Sequence, residues 1–347
     1  MCVSTNNRKL VLALHKNVKY RALTRPLSLQ HTFPLNKIPT QTDLFYPGTK
    51  SDITPHGADI SHAATTTGIA SFTSLGISAP FDAIKVLFDR LAADSHLASR
   101  INATYPKRGV YKTAGLHKSD VDQKVTVDLS AIRLERLNRL SPELVHELGA
   151  ELKEAVGFFK QVEKELVPRI MQATSTAAGF DMAALHTQRN NNYRMIDYFA
   201  KSTAIGAPRC GVHRDYGTFS IILYAFAPNH TALSLTLSLH RQNGASSGLE
   251  YLQPGSTQWT SIPKSDGAIV WGWSSAILSG DRIRAAQHRV QATQPGSRRQ
   301  TAVLFVAPDL DAVLTPRSGS VTGFGDALAN GQVGLFCVYK ARAHGHI

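Results

Sequence analysis

The chain has 347 residues and a hydrophobic content of 43%, enough for one large or two small globular domains with a substantial core. Its 38 Lys and Arg outnumber 25 Asp and Glu, and the net charge of +13 suits an anionic substrate or cofactor, or non-specific contact with nucleic acid or membrane surfaces. The three cysteines contain no C-x-x-C pair, which argues against a zinc ribbon and a disulfide framework. No apolar run approaches the roughly 18 residues of a membrane span.

The N-terminal segment is basic, with seven Lys or Arg in residues 1–42 and no acidic residue before Asp43. It lacks the apolar core and cleavage site of a signal peptide but resembles an organelle transit peptide. A flexible basic leader is the simpler interpretation. We therefore predict a leader over residues 1–55 and a cytoplasmic protein, with a mitochondrial location as the alternative.

The folded region is expected to begin near residue 55 with one strand and two helices. The run GIASFTSLGIS, which starts at Gly68, has the β-branched and aromatic content of a strand. In APFDAIKVLFDRLAA, four apolar residues at helical spacing predict a helix that covers a sheet: Phe81, Ile84, Phe88 and Leu91. Apolar residues every three or four positions from Ser141 to Ile170 predict one continuous packing helix.

The second half of the chain consists of short apolar runs broken by Gly, Pro, Asn and Ser. They are YRMIDYFA, TFSIILYAFA, TALSLTLSLH, GLEYLQ, GAIVWGW and TAVLFVAP. Many short strands separated by turns predict a sandwich or barrel. We expect a single domain over residues 56–347, with a helical and strand part at 56–190, a β core at about 190–310 and a C-terminal extension at 311–347.

The segment GVHRDYGTFSIIL, residues 211–223, has the pattern of a strand, yet it carries two polar side chains whose burial costs free energy. Because side chains alternate along a strand, His213 and Asp215 would project together and Arg214 would point into solvent. His288, in AAQHRVQA, is the best third ligand for a metal. Two histidines and one carboxylate form the facial triad of non-heme Fe(II) oxygenases, but zinc hydrolases can use the same set. The triad alone therefore does not name the metal.

A second polar pair follows His288 in RRQTAVLF, where Arg299 and Thr301 share one face of a strand. An arginine donates two parallel charge-assisted hydrogen bonds to a carboxylate, and a threonine hydroxyl adds a third. The pair is thus suited to bind a carboxylate.

The order of these motifs resembles the isopenicillin N synthase-like family of Fe(II)/2-oxoglutarate-dependent dioxygenases. The matching features are H-x-D at 213–215, GLEYLQPGSTQWTSIPKSDGAIVWGW, His288-Arg289-Val290 and Arg299-x-Thr301. The resemblance spans about residues 55–310 and is looser in the N-terminal half. It implies an α+β fold with a mainly β core, a jelly-roll double-stranded β-helix with flanking helices.

The resemblance also implies an activity and its cofactors. His213, Asp215 and His288 would be the ligands of Fe(II), and Arg299 and Thr301 would bind the co-substrate 2-oxoglutarate. The protein would be an oxidoreductase, a dioxygenase that uses O2 and is helped by ascorbate. It would hydroxylate, desaturate or cyclise a small organic molecule, with specialised (secondary) metabolism as the expected setting.

A group of arginines invites a nucleic-acid interpretation: Arg282, Arg284, Arg289, Arg298 and Arg299. The group lacks a recognition motif and interleaved aromatic residues. A field that attracts dianionic oxoglutarate is the simpler account. We therefore expect a small-molecule substrate and neither a nucleic-acid nor a membrane partner. The sequence does not indicate whether the protein is a monomer or an oligomer.

Three residues are predicted to line the substrate pocket: Phe199, Tyr216 and Trp273. Phe199 lies where the family has R-x-N-Y-Y-P, and we interpret it as the replacement of a tyrosine that contacts oxoglutarate.

The interval of 73 residues from Asp215 to His288 is long for the family and predicts an insertion over residues 226–247. Two alternatives stay open: a same-fold oxidase that does not use oxoglutarate, and a metal-dependent hydrolase or isomerase.

Overall fold

A computed structural model describes residues 60–72, 77, 79–104, 111–114, 124–198, 208–224, 248–262, 265–291, 298–314 and 322–323. The predicted leader, Phe199, the strand TALSLTLSLH, the insertion at 226–247 and most of the extension at 311–347 lie outside these residues. The division into a leader and a single domain therefore stays a prediction.

The described helices and strands follow one another along the chain as a mixed α and β sequence. The helices are α1 (Ile60–Thr66), α2 (Phe81–Ala93), α3 (Ser95–Ala103), α4 (Ala131–Leu140), α5 (Pro142–Glu165), α6 (Val167–Ala178) and α7 (Trp273–Leu278), and a 3-10 helix spans Met182–Leu185. The strands are β1 (Ile69–Phe72), β2 (Tyr111–Ala114), β3 (Lys124–Leu129), β4 (Asn191–Tyr198), β5 (Pro208–His213), β6 (Phe219–Tyr224), β7 (Leu249–Leu252), β8 (Trp259–Ser261), β9 (Gly267–Trp271), β10 (His288–Gln291), β11 (Arg299–Val306), β12 (Val313–Leu314) and β13 (Thr322–Gly323). The expected α+β class is therefore confirmed.

The strands form two main antiparallel sheets and a short ribbon. The larger sheet has the order β1-β9-β6-β11-β4-β3-β2, and the smaller sheet has the order β5-β10-β7-β8. Strands β12 and β13 pair with each other. None of the helices in the described part of the chain is both long and apolar enough to cross a bilayer.

The two faces of the larger sheet have different partners. Ala302, Leu304 and Val306 of β11 belong to a hydrophobic core that includes the apolar residues of α2, α5 and α6. Val303 and Phe305, which alternate with them, pack instead with apolar residues of the smaller sheet. This alternation follows from the period of two along a strand. The helices thus cover one face, and the other face is turned towards the smaller sheet.

The helix expected from Ser141 to Ile170 is interrupted twice. Gly149 adopts φ 66° and ψ −147°, a conformation that side-chain-bearing residues rarely adopt, and this kinks α5. At Leu166 the chain leaves α5, and α6 begins with Pro168 in its first turn, where the missing N–H costs nothing. The apolar spacing continues across both breaks because each segment covers the same core. The helical spacing of apolar residues therefore does not reveal either break.

The segment GVHRDYGTFSIIL is not one strand. Strand β5 ends at His213, and β6 begins at Phe219 in the other sheet, so residues 214–218 cross between the sheets. The crossing passes close to β11, because a Cβ added to Gly217 would lie 2.6 Å from the Val306 carbonyl oxygen. Asp215 therefore lies outside a strand, and strand alternation cannot be the reason that it lies beside His213.

The packing of α5 on the larger sheet gives a stability prediction. Phe159 is fully buried, and its ring stacks on Tyr193 of β4 with centroids 5.0 Å apart. We expect Phe159→Ala to lower the free energy of unfolding by about 3–5 kcal/mol, measured by urea denaturation. The matched control is Phe180→Ala, because Phe180 is 39% exposed. Equal losses for the two variants would contradict the proposed core.

Candidate active site

A cavity of about 800 Å³ lies between residues of the two sheets. Alternate positions of β11 and its neighbour β4 contribute layers of side chains to its wall. The register pairs Arg299 with Tyr198, Thr301 with Ile196, Val303 with Arg194, and Phe305 with Asn192. All eight residues line the cavity. Arg299 therefore marks one end of this wall and Phe305 the other.

The predicted His-Asp-His set converges in this cavity. His213 and His288 are register partners at the paired ends of β5 and β10, and their ring centroids lie 4.2 Å apart. Asp215 Oδ1 lies 3.7 Å from His213 Nε2 and 4.0 Å from His288 Nε2. One nitrogen or oxygen of each residue lies within 4.8 Å of the others. The three side chains can thus reach one metal ion.

Neighbouring groups orient each of these three side chains. His213 Nδ1 donates to the Gly211 carbonyl at 2.7 Å, and His288 Nδ1 donates to the Ala286 carbonyl at 3.1 Å. Since a carbonyl can only accept, both rings keep an Nε2 lone pair for a metal when neutral. The Ser220 hydroxyl donates to Asp215 Oδ2, which leaves Oδ1 facing the histidines. The donor set therefore fits a divalent cation with nitrogen and oxygen ligands.

The loop that carries Asp215 is held by the backbone at the start of α7. The Trp273 N–H donates to the Asp215 carbonyl at 2.8 Å, and the Ser274 N–H donates to the Gly217 carbonyl at 3.2 Å. Gly272 permits this contact, because a Cβ there would lie 2.4 Å from Gly217 O and 2.6 Å from Asp215 O. A side chain at position 272 would displace the Asp215 loop.

Burial and neighbouring charges shift the pKa values of several groups at this site. Burial and the nearby His213 lower the pKa of His288 to about 4. Burial also lowers the pKa of His213, but Cys210 and Asp215 raise it more, to about 9. Burial raises the pKa of Cys210, while His213 and Lys124 together bring it below its ordinary value. A bound cation would take the place of the His213 proton beside Asp215.

The Arg299 end of the cavity is suited to a carboxylate. The guanidinium lies over the rings of Tyr198 and Tyr224, with centroid distances of 5.6 and 5.1 Å. Burial lowers the pKa of Arg299 and raises that of Tyr198 to about 12, so the phenol is neutral. Thr301 is 1% exposed, and its hydroxyl has no hydrogen-bond partner among the described residues. An enclosed cation beside an unsatisfied hydroxyl fits an anionic ligand.

The predicted pocket residues have different positions. Tyr216 lines the cavity and is 54% exposed. Trp273 is buried at the start of α7 and is not among the residues that line the cavity. Phe199 lies outside the described residues.

Arg214 was expected to point into solvent, and that prediction is wrong. It lines the cavity, its Nε donates to the Ala285 carbonyl at 2.9 Å, and its guanidinium lies 5.1 Å from the centre of the Trp273 ring. The alternation rule failed because β5 ends at His213, so Arg214 already belongs to the crossing loop.

The sequence interpretation also missed Tyr198. Counted from Arg194, the fifth position of R-x-N-Y-Y-P falls on Tyr198, and Phe199 falls on the proline. Tyr198 stands opposite Arg299 in the register and lines the cavity. Tyr198 therefore supplies a tyrosine beside Arg299, and the replacement inferred at Phe199, which lies outside the described residues, stays a prediction.

Comparisons with known proteins agree with this geometry. Residues 190–308, about a third of the chain, match the family model of the 2OG-Fe(II) oxygenase superfamily. A search of the curated proteins found no match. The specific isopenicillin N synthase-like assignment is not tested by these results.

Several solved structures share the fold. The chain is similar to the dioxygenase for auxin oxidation (DAO) in rice, with a TM-score of 0.58, 17% identity, and coverage of 78% of this chain and 89% of that one. It is similar to a full-length Neurospora crassa protein solved in complex with alpha-KG, with a TM-score of 0.57, 17% identity, and coverage of 78% and 88%. It is also similar to a putative oxygenase from Shewanella oneidensis, with a TM-score of 0.55, 14% identity, and coverage of 83% and 95%. The Neurospora crassa protein was also solved with thymine and with 5-formyluracil.

The close contact at Gly272 gives a prediction about the site. We expect Gly272→Ala to weaken Mn(II) binding about tenfold or more, because the new methyl group must displace the loop that orients Asp215. Isothermal titration calorimetry measures the affinity, and circular dichroism checks the fold. The control is Gly157→Ala in α5, where an added Cβ meets no atom within 4 Å. Unchanged affinity in folded Gly272→Ala protein would contradict this role for the contact.

Proposed function

We propose that the protein is an Fe(II)/2-oxoglutarate-dependent oxygenase of the isopenicillin N synthase-like type, acting on a small organic molecule. One observation carries the proposal: the His213, Asp215 and His288 cluster shares a cavity with Arg299 and Thr301. A metal cluster alone would also suit a zinc hydrolase. The carboxylate-binding end beside it favours the oxoglutarate-dependent class.

The strand order supports a jelly-roll double-stranded β-helix as the core. Strands β4, β6, β9 and β11 lie in the larger sheet, whereas β5, β7, β8 and β10 lie in the smaller one. The chain therefore passes back and forth between the sheets and builds both walls of the cavity. This arrangement brings together side chains that are far apart in sequence.

In this proposal, His213 Nε2, His288 Nε2 and Asp215 Oδ1 hold Fe(II). Three protein ligands leave coordination positions for a co-substrate and oxygen. When bound, the iron supplies the activation of O2 that oxidises a substrate C–H bond. The carbonyl partners of both Nδ1 atoms and the Ser220 hydroxyl keep the ligand atoms converged.

Arg299 and Thr301 bind the distal carboxylate of 2-oxoglutarate. Arg299 provides the positive charge, and the buried Thr301 hydroxyl, which otherwise lacks a partner among the described residues, provides a hydrogen bond. The cavity wall near Arg299 and Thr301 is apolar and excludes water; it includes Ile196, Ile222 and Val303. Hydroxylation is the proposed outcome, with desaturation or cyclisation of the same substrate as variants, within specialised metabolism.

The presence of Tyr198 weakens one alternative. An oxidase that does not use oxoglutarate was suggested by the apparent loss of a tyrosine at Phe199. Tyr198 lies in the same layer as Arg299 and supplies a tyrosine at that end of the cavity, which weakens the argument from Phe199.

The metal assignment is tested with Fe(II), ascorbate and 2-oxoglutarate. We expect the wild-type protein to bind Fe(II) and to form succinate, and His213→Ala to lose both, because the two remaining ligands bind the ion much more weakly than three. The control is His146→Ala, since His146 is exposed on α5. Metal binding is measured by titration, and succinate by mass spectrometry. Robust zinc-dependent turnover without succinate under any condition would exclude the proposal.

The oxoglutarate assignment is tested by Arg299→Ala and Thr301→Val. Loss of a charge-assisted hydrogen bond costs about 1.5–3 kcal/mol, so we expect Arg299→Ala to raise the apparent KM for oxoglutarate about 10- to 100-fold. Thr301→Val removes only a hydroxyl and should have a smaller effect, which Thr301→Ser should reverse. Fe(II) affinity should stay unchanged in all three. Unaltered oxoglutarate dependence in Arg299→Ala would refute the carboxylate assignment.

A further inference from the structure

The cavity is lined by more cations than anions. Its cationic side chains are Lys124, Arg133, Arg194, Arg214 and Arg299, and its carboxylates are Asp128 and Asp215. In the proposed function, the charges of Fe(II) and of 2-oxoglutarate cancel each other. The positive excess therefore remains when both are bound, and it acts on the substrate.

Most of these charged groups have a partner within the cavity. Arg194 binds both carboxylate oxygens of Asp128 through Nε and Nη2. Lys124 Nζ lies 3.0 Å from Cys210 Sγ. Asp215 lies with the two histidines, and Arg299 belongs to the oxoglutarate end. Within the described residues, no carboxylate forms an ion pair with Arg214.

Arg214 is held in a way that leaves one edge of its guanidinium available. Its Nε donates to the Ala285 carbonyl, and its guanidinium carbon lies over the buried Trp273 ring. Nη1 and Nη2 have no hydrogen-bond partner among the described residues. These two nitrogens form the edge that binds a carboxylate through two parallel hydrogen bonds. Because the side chain is already restrained, little conformational entropy is lost when a ligand binds.

The position of Arg214 relates it to the reacting centre. It follows His213 and precedes Asp215 in the chain, and all three residues line the same cavity. A ligand on Arg214 would therefore lie beside the candidate iron site and not at the Arg299 end.

We propose that the substrate of this oxygenase is a small organic carboxylate and that Arg214 binds its carboxylate group through Nη1 and Nη2. This inference rests on the proposed function and names the class of molecule on which that function acts. Arg214 is then the residue that selects acids over their neutral analogues, while Arg299 binds the co-substrate.

The test measures the preference for acids with probes of matched shape. Three pairs serve: phenylacetate and phenylacetamide, benzoate and benzamide, and hexanoate and hexanamide. Dissociation constants are measured by calorimetry on the full chain with Mn(II) and saturating 2-oxoglutarate, and again without either. We expect at least one acid to bind about 10- to 100-fold more tightly than its amide, the range expected for charge-assisted hydrogen bonds.

Variants then assign that preference to Arg214. Arg214→Gln should abolish the preference while Mn(II) and oxoglutarate affinities stay within about twofold, and Arg214→Lys should restore part of it. A purely structural role through Trp273 would change metal affinity instead. The matched control is Arg169→Gln, which removes the same charge from an exposed position on α6 and should leave the preference intact.

Two results would overturn the inference: no acid binding more tightly than its amide in the wild-type protein, or a preference that persists in Arg214→Gln. Failure of the proposed function is visible separately as absence of Mn(II) and oxoglutarate binding. In that event, the acid and amide comparison in the metal-free protein still decides whether Arg214 binds carboxylates.

Discussion

The backbone contact between the Asp215 loop and the start of α7 is the constraint on which the candidate site depends. Asp215 lies on neither sheet, so it is not oriented by strand geometry; it is positioned because Trp273 and Ser274 donate to carbonyls of the crossing loop. Gly272 lacks the Cβ that would collide with that loop. The carboxylate consequently lies beside two histidines, which are positioned by the pairing of β5 with β10.

The pairing of β4 with β11 organises the rest of the cavity. It places Arg299 and Tyr198 in one layer and Phe305 and Asn192 three layers further along. Since neighbouring residues on a strand alternate, β11 also contributes Ala302 and Leu304 to the core beneath the helices, and β4 contributes Tyr193 and Met195. One strand pair therefore supplies both the polar lining that we assign to ligands and the apolar packing that keeps this lining rigid.

Much of the fold could be predicted from the sequence, where a local period controls the outcome. Helix α2 and most of the strands of the β core lie where apolar spacing placed them. The long helix from Ser141 was predicted as continuous, because the period records which face is buried and does not record a positive φ at Gly149. The transition from β5 to β6 was missed for a related reason: the run from Gly211 to Leu223 has no break that marks a change of sheet, and only pairing in space shows that the two strands belong to different sheets.

By itself, the sequence determined which chemistry is present: the spacing of His213, Asp215 and His288, and the alternation of Arg299 with Thr301, are properties of the chain. The tertiary structure decided which of these and other side chains share one cavity. Arg214 and Tyr198 could be assigned to that cavity only once strand ends and cross-strand partners were defined. The physical reason is that side-chain direction follows a local rule within a strand, whereas in a crossing loop it depends on backbone contacts with residues distant in sequence.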